Sequence, residues 1–113
     1  MNKKQRAEQV ERTANAIESL TETLKDSPRL LILTDYSPSG GTRYTRVYAP
    51  VSNEIWDITY QVAQAIGQKC HIRDGENTIK GTGWGYSHAT YITEGLCRAL
   101  GLPAYSLKYN GQI

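Results

Sequence analysis

Two short stretches of this chain concentrate groups able to grip an anion. The first is Tyr36-Ser37-Pro38-Ser39-Gly40-Gly41-Thr42-Arg43, which joins hydroxyls, adjacent glycines and a guanidinium. The second is Gly81-Thr82-Gly83-Trp84-Gly85-Tyr86-Ser87-His88, with alternating glycines, two rings and an imidazole. Glycine lets a backbone come close to a ligand, and successive N–H groups in such turns form anion-binding concavities. In a pocket built from both stretches, Ser37, Ser39, Gly40, Gly41, Thr42 and Arg43 would hold phosphates. Trp84 and Tyr86 would stack on bases. Gly83, Gly85 and the orphan N–H groups opening a following helix would complete the anion site together with His88. Tyr44, Arg46 and Tyr48 alternate along the strand after the first stretch and form either a solvated face or a basic, aromatic wall. The plainer reading of both stretches is turn chemistry, since Ser, Pro and Gly are ordinary turn residues.

Several sharper readings fail on spacing. The first stretch is not a P-loop, because the interval and the terminal Lys-Ser/Thr are missing. Gly81-Thr82-Gly83 lacks the rest of a dinucleotide fingerprint and its parallel strand–helix–strand setting. His88 falls in the first turn of a predicted helix, where positive charge is disfavoured, so a neutral imidazole is expected. Such a ring can donate to a base or phosphate, act as a general base, or simply cap and pack. No carboxylate pair stands near His71 or His88 in sequence. No catalytic residue is therefore assigned, His88 being the candidate if the protein is an enzyme. Two cysteines and two histidines are scattered without ligand spacing, so neither a metal nor a cofactor is expected.

The elements that must position these groups follow from periodicity. Ala7, Val10, Ala14, Ile17, Thr21 and Leu24 recur in steps of three and four, predicting an amphipathic helix over 3–26. That seam suits either packing on its own domain or self-association through a heptad contact. Arg29–Thr34 reads as a strand, Arg43–Ala49 as a second and Glu54–Ile58 as a third, after a turn over Pro50–Asn53. Thr59 is the expected N-cap of a short helix stopped by Gly67. Asp74-Gly75 joins strands Lys69–Arg73 and Asn77–Lys80 as a hairpin. A last helix runs from His88 to Leu100, with Ile92, Leu96, Ala99 and Leu100 inward, and Gly101 and Pro103 end it. Ala104–Ile113 reads as a docked tail, and Trp56 as a core ring. The order predicts an α+β fold, a mostly antiparallel sheet with helices on one face plus an N-terminal amphipathic helix. Residues 1–27 would be the helix and 28–113 the ligand-binding domain.

Composition bounds the remaining possibilities. The chain has 113 residues, 39% hydrophobic and 21% charged, enough for one modest core. A net charge of +2 is too weak for a dedicated nucleic-acid binder and too positive for an acidic mimic of DNA. No long apolar run predicts a membrane span, and an intracellular, soluble protein is expected. Cys70 and Cys97 read as reduced, buried thiols. Eight Tyr and two Trp against no Phe favour rings with polar tips, which suit pockets and interfaces.

From Ser37 onward the chain resembles a family of small tailed-bacteriophage and prophage proteins. The resemblance lies in a Ser-x-Ser-Gly-x-x-Arg turn after a strand, here Ser37-Pro38-Ser39-Gly40-Gly41-Thr42-Arg43. An aromatic-Asp-Ile-Thr block follows, here Trp56-Asp57-Ile58-Thr59, leading into Val62-Ala63-Gln64-Ala65-Ile66-Gly67. The third block is Ile79-Lys80, then Gly83-Trp84-Gly85 and His88. The family's last loop is longer, with a Met-Asp-Met-Gly insert that this chain lacks, and the charged N-terminal helix lies outside the likeness. The resemblance implies an accessory, counter-defence role in the cytoplasm of an infected bacterium. Joined to the glycine-rich stretches, it leads to the expectation of a homo-oligomeric protein that sequesters a nucleotide-type immune signal, a cyclic oligonucleotide or an ADP-ribose derivative. The rival expectations are a protein-binding inhibitor, such as an anti-CRISPR, and an enzyme degrading the same signal.

Overall fold

The computed structural model describes residues 2–36, 41–82 and 87–110. In chain order these form α1 (Lys3–Leu24), β1 (Arg29–Tyr36), β2 (Thr42–Val51) and β3 (Glu54–Asp57). Then come α2 (Thr59–Ile66), β4 (Cys70–Arg73), β5 (Glu76–Thr82), α3 (His88–Leu100) and β6 (Lys108–Tyr109). The strands form one mixed sheet in the order β4-β5-β2-β1-β6, with β3 also on β2. All pairings are antiparallel except β1 with β6. The fold is α+β.

β2 is the spine. Along one edge it pairs with β1, Leu31 opposite Tyr48 through Tyr36 opposite Arg43. Its other edge is divided: Thr42–Thr45 pair with β5, while Tyr48–Val51 pair with β3. The division falls at Val47, whose N–H donates to Thr59 Oγ1 at 2.8 Å and whose carbonyl accepts from the Ile58 N–H at 2.9 Å. Thr59 is therefore not the N-cap that its type suggested. Ile58 occupies the N-cap position without a side-chain bond, and Thr59, fully buried, uses its hydroxyl to tie α2 to the spine.

Strand alternation puts Leu30 and Ile32 of β1 and Val47 and Ala49 of β2 on the buried face. They meet Val62, Ala63 and Ala65 of α2, Ile92, Leu96 and Cys97 of α3, and Leu20 and Leu24 of α1 in one core. The last turns of α1 thus share the core with residues 28–113. Leu107 is buried there too, so the tail docks. Beyond β6, the Asn110 side chain acts as a strand residue: its Oδ1 accepts from the Ile32 N–H at 2.7 Å and its Nδ2 donates to the Ile32 carbonyl at 2.6 Å.

Turn chemistry holds where it was read. Gly67 and Gly101 end α2 and α3 in the left-handed region at φ 73° and 68°. Asp74 and Gly75 take φ 53° and 78°, the paired positive values of a tight hairpin. Asn2 opens α1 with a capping box, accepting from the Gln5 N–H while the Gln5 side chain accepts from its own.

Two packing expectations are corrected. The stripe that α1 buries is Ala16, Leu20 and Leu24; of the Ala7-to-Leu24 seam only Leu24 is buried and Ile17 partly so, while Val10 stays 69% exposed. Trp56 is not a core ring: it is 45% exposed, on short β3, and its Nε1 donates to Glu54 at 2.9 Å. Cys97 is buried as expected, while Cys70 at the start of β4 is half-buried and its thiol is pushed up by that burial.

Candidate functional site

The register of β2 decides which ends of chain become neighbours. Tyr36 of β1 faces Arg43 of β2, and Arg43 faces Gly81 of β5. These three residues form one row across the sheet, and Thr42 pairs with Thr82 one position further out. Tyr36 and Gly41 bracket one glycine-rich stretch, Thr82 and Ser87 the other. The flanks of both stretches therefore lie at the same end of the sheet. The Arg43 guanidinium lies over the Tyr36 ring, 5.4 Å from its centre.

α3 delivers His88 to that end. Ser87 caps the helix, its Oγ accepting from the Thr90 N–H at 3.4 Å. His88 begins the first turn and is buried, 8% exposed. Its Nδ1 meets Thr45 Oγ1 at 2.7 Å, and Thr45 meets Thr34 Oγ1 at 3.0 Å. The chain Thr34–Thr45–His88 thus crosses from β1 through β2 to the start of α3. A hydroxyl both donates and accepts, so the relay can run in either direction and set either imidazole tautomer. The far edge of the ring rests on Gly81, where a Cβ would collide with the imidazole. Gly81 is required by that close approach and not by its backbone angles. Tyr91, one turn on, stacks beside the ring with centres 6.1 Å apart.

Burial first, and the nearby Arg43 charge second, push the His88 imidazole below its ordinary 6.5. The site therefore combines a neutral ring with an adjacent guanidinium. That combination suits recognition of an anion and gives little drive for proton transfer, because the ring's partners are a threonine and a cation. Among the described residues no three His, Cys, Asp or Glu side chains cluster in a way that would hold a metal ion.

Of the residues singled out in sequence, Thr42, Arg43 and His88 come together at this end, with Gly41 entering β2 beside them. Arg46 does not join them. Strand parity turns it to the opposite face from Thr45, where it pairs with Glu76 at 2.8 Å and Asp35 at 3.9 Å. Ser37, Ser39, Gly40, Gly83, Trp84, Gly85 and Tyr86 lie outside the described residues. Thr34 and Thr45 were missed. Their signal was present: each is a hydroxyl at an inward strand position beside a buried apolar residue two positions away, Ile32 for Thr34 and Val47 for Thr45. Compared with known proteins, the chain matches no family model, no curated sequence and no solved structure.

Proposed function

We propose that the protein binds and sequesters a nucleotide-type small molecule at the end of the sheet where β2 meets β5. The observation that carries this reading is the row Tyr36–Arg43–Gly81, which draws the flanks of both glycine-rich stretches together. The neutral, buried His88 beside Arg43 supports it, because a pre-formed polar site raises affinity without needing a nucleophile. The ligand class follows from the residue types: Arg43, Thr42 and the serines Ser37 and Ser39 for phosphate, and Trp84 and Tyr86 for bases. The resemblance to tailed-phage accessory proteins suggests the setting, a host immune signal such as a cyclic oligonucleotide or cyclic ADP-ribose derivative. No helix among the described residues is long and apolar enough to cross a membrane.

The test incubates the purified protein with cyclic dinucleotides, cyclic trinucleotides and cyclic ADP-ribose isomers. Free ligand is measured before and after heat denaturation. Depletion followed by release of intact ligand is the expected result, lost in Arg43→Ala and weakened in His88→Asn. Absence of depletion across the panel overturns the reading, and release of converted ligand replaces it with an enzyme. A second reading, inhibition of a protein partner, is favoured by the uncovered sheet face, where Leu33 stays 53% exposed.

A further inference from the structure

The first half of α1 stands away from the core. The buried residues of the helix are Ala16, Leu20 and Leu24, all in its second half. Residues 3–12 are exposed without exception, Val10 at 69%. Arg6, Gln9, Val10, Thr13, Ala14 and Ile17 form one continuous face along this arm. Ala7, Val10 and Ala14 thus form an exposed apolar line over two turns, and Ile17, partly buried against the core, closes its inner end with part of its side chain still accessible.

We infer that this line is the contact for a second copy of the same helix, running antiparallel. Two features select that occupant and that direction. The first is size. With Val10 opposite the partner copy's Ala14, Ala7 falls opposite its Ile17, so each small residue meets a larger one in every layer. A parallel pair would stack alanine on alanine twice and lysine on lysine at Lys3. The second is charge. Lys3, Lys4 and Arg6 crowd the beginning of the helix, whereas Glu18 and Glu22 lie toward its end. The antiparallel alignment sets Lys4 beside Glu18 of the second copy, twice by symmetry. Glu11 then approaches its own counterpart near the two-fold axis, the one like-charged pair in the contact.

The geometry gives a set of tests on the full-length protein, read by sedimentation velocity up to about 100 µM, a range that admits a modest interface. The wild type is expected to be a dimer in reversible exchange with monomer. Val10→Glu touches nothing in the core and is expected to weaken the dimer by about tenfold or more, with unchanged melting of the monomer. Lys4→Glu should weaken it severalfold and Lys4→Glu with Glu18→Lys should restore it, a rescue that a parallel pair would not give. Glu11→Gln should tighten it. A wild type that stays monomeric throughout overturns the inference, as does a dimer indifferent to Val10→Glu. Ligand depletion by Val10→Glu is measured separately, so failure here leaves the nucleotide reading standing or falling on its own experiment.

Discussion

Thr45 and Arg46 are neighbours in sequence and opposites in physics. Thr45 points into the helix-covered side of β2, is fully buried, and takes part in a relay of uncharged hydrogen bonds with Thr34 and His88. Arg46 points to the uncovered side, where it bridges Glu76 of β5 and Asp35 of β1. Arg73 of β4 extends that network, 3.5 Å from Asp35 and with its guanidinium 4.4 Å from the centre of the Tyr44 ring. The covered side tolerates polar groups only when they are neutral and mutually satisfied, because burying an unpaired charge is far more costly. The uncovered side can use full charges, since water still reaches the carboxylates of Asp35 and Glu76. Substitutions on the covered side should therefore cost much more than those on the open side.

The largest effect is expected at Gly81. Gly81→Ala forces the His88 ring off the strand and with it the bond to Thr45, a loss of about 2–4 kcal/mol from overpacking plus a broken buried hydrogen bond. Urea denaturation reads this as a lower midpoint at unchanged slope. The same substitution in a His88→Ala background should cost little, because the colliding ring is gone. Equal costs in both backgrounds would show that the contact with His88 is not what makes glycine necessary.

Next comes Thr45→Val. It keeps the shape and removes the hydroxyl, leaving His88 Nδ1 and Thr34 Oγ1 without their shared partner. The expected loss is about 1–3 kcal/mol. Thr45→Ser, which keeps the hydroxyl, should lose clearly less.

The covered side also predicts a pH dependence with a definite sign. The folded His88 imidazole titrates below 6.5, so between that value and its folded value the unfolded chain binds more protons. The stability due to a neutral His88 is then complete above pH 6.5 and is lost as pH falls through 6.5 toward the folded value. Acid titration of stability in the wild type should show a downward slope below pH 6.5 that is shallower in His88→Asn. An unchanged slope would mean that His88 titrates alike in both states.

The elements that could be read from sequence are those governed by local rules. α3 starts and stops at His88 and Leu100, as its pattern and Gly101 require. The Asp74-Gly75 hairpin and the Gly67 stop follow from turn chemistry alone. What could not be read depends on a choice among partners. α1 carries two overlapping stripes at helical spacing, and periodicity cannot say which one meets a sheet that is assembled later in the chain. Arg46 reads equally as part of a solvated face or of a binding wall, because its partners Asp35 and Glu76 come from two other strands. Trp56 looked like core because of its size, but β3 is a short edge strand with all four residues exposed. Whether the two glycine-rich stretches share one end of the fold is not written in local sequence rules. Antiparallel pairing of β2 with both β1 and β5 supplies the reason their flanks are adjacent.

The smallest effect separates the two sides most clearly. Arg46→Met keeps most of the side chain's apolar length, which covers the sheet, and deletes only the charge that Asp35 and Glu76 share. Those carboxylates are half exposed, at 56% and 50%, so water can take over their solvation. The expected loss is below about 1 kcal/mol, and it should shrink further as salt rises, because screening already weakens the pairs in the wild type. Thr45→Val, one residue earlier, should show no such salt dependence. The Arg46 side chain itself is only 18% exposed, so if Arg46→Met instead cost as much as Thr45→Val at every ionic strength, burial of the guanidinium between β1 and β5 would outweigh the exposure of its carboxylate partners.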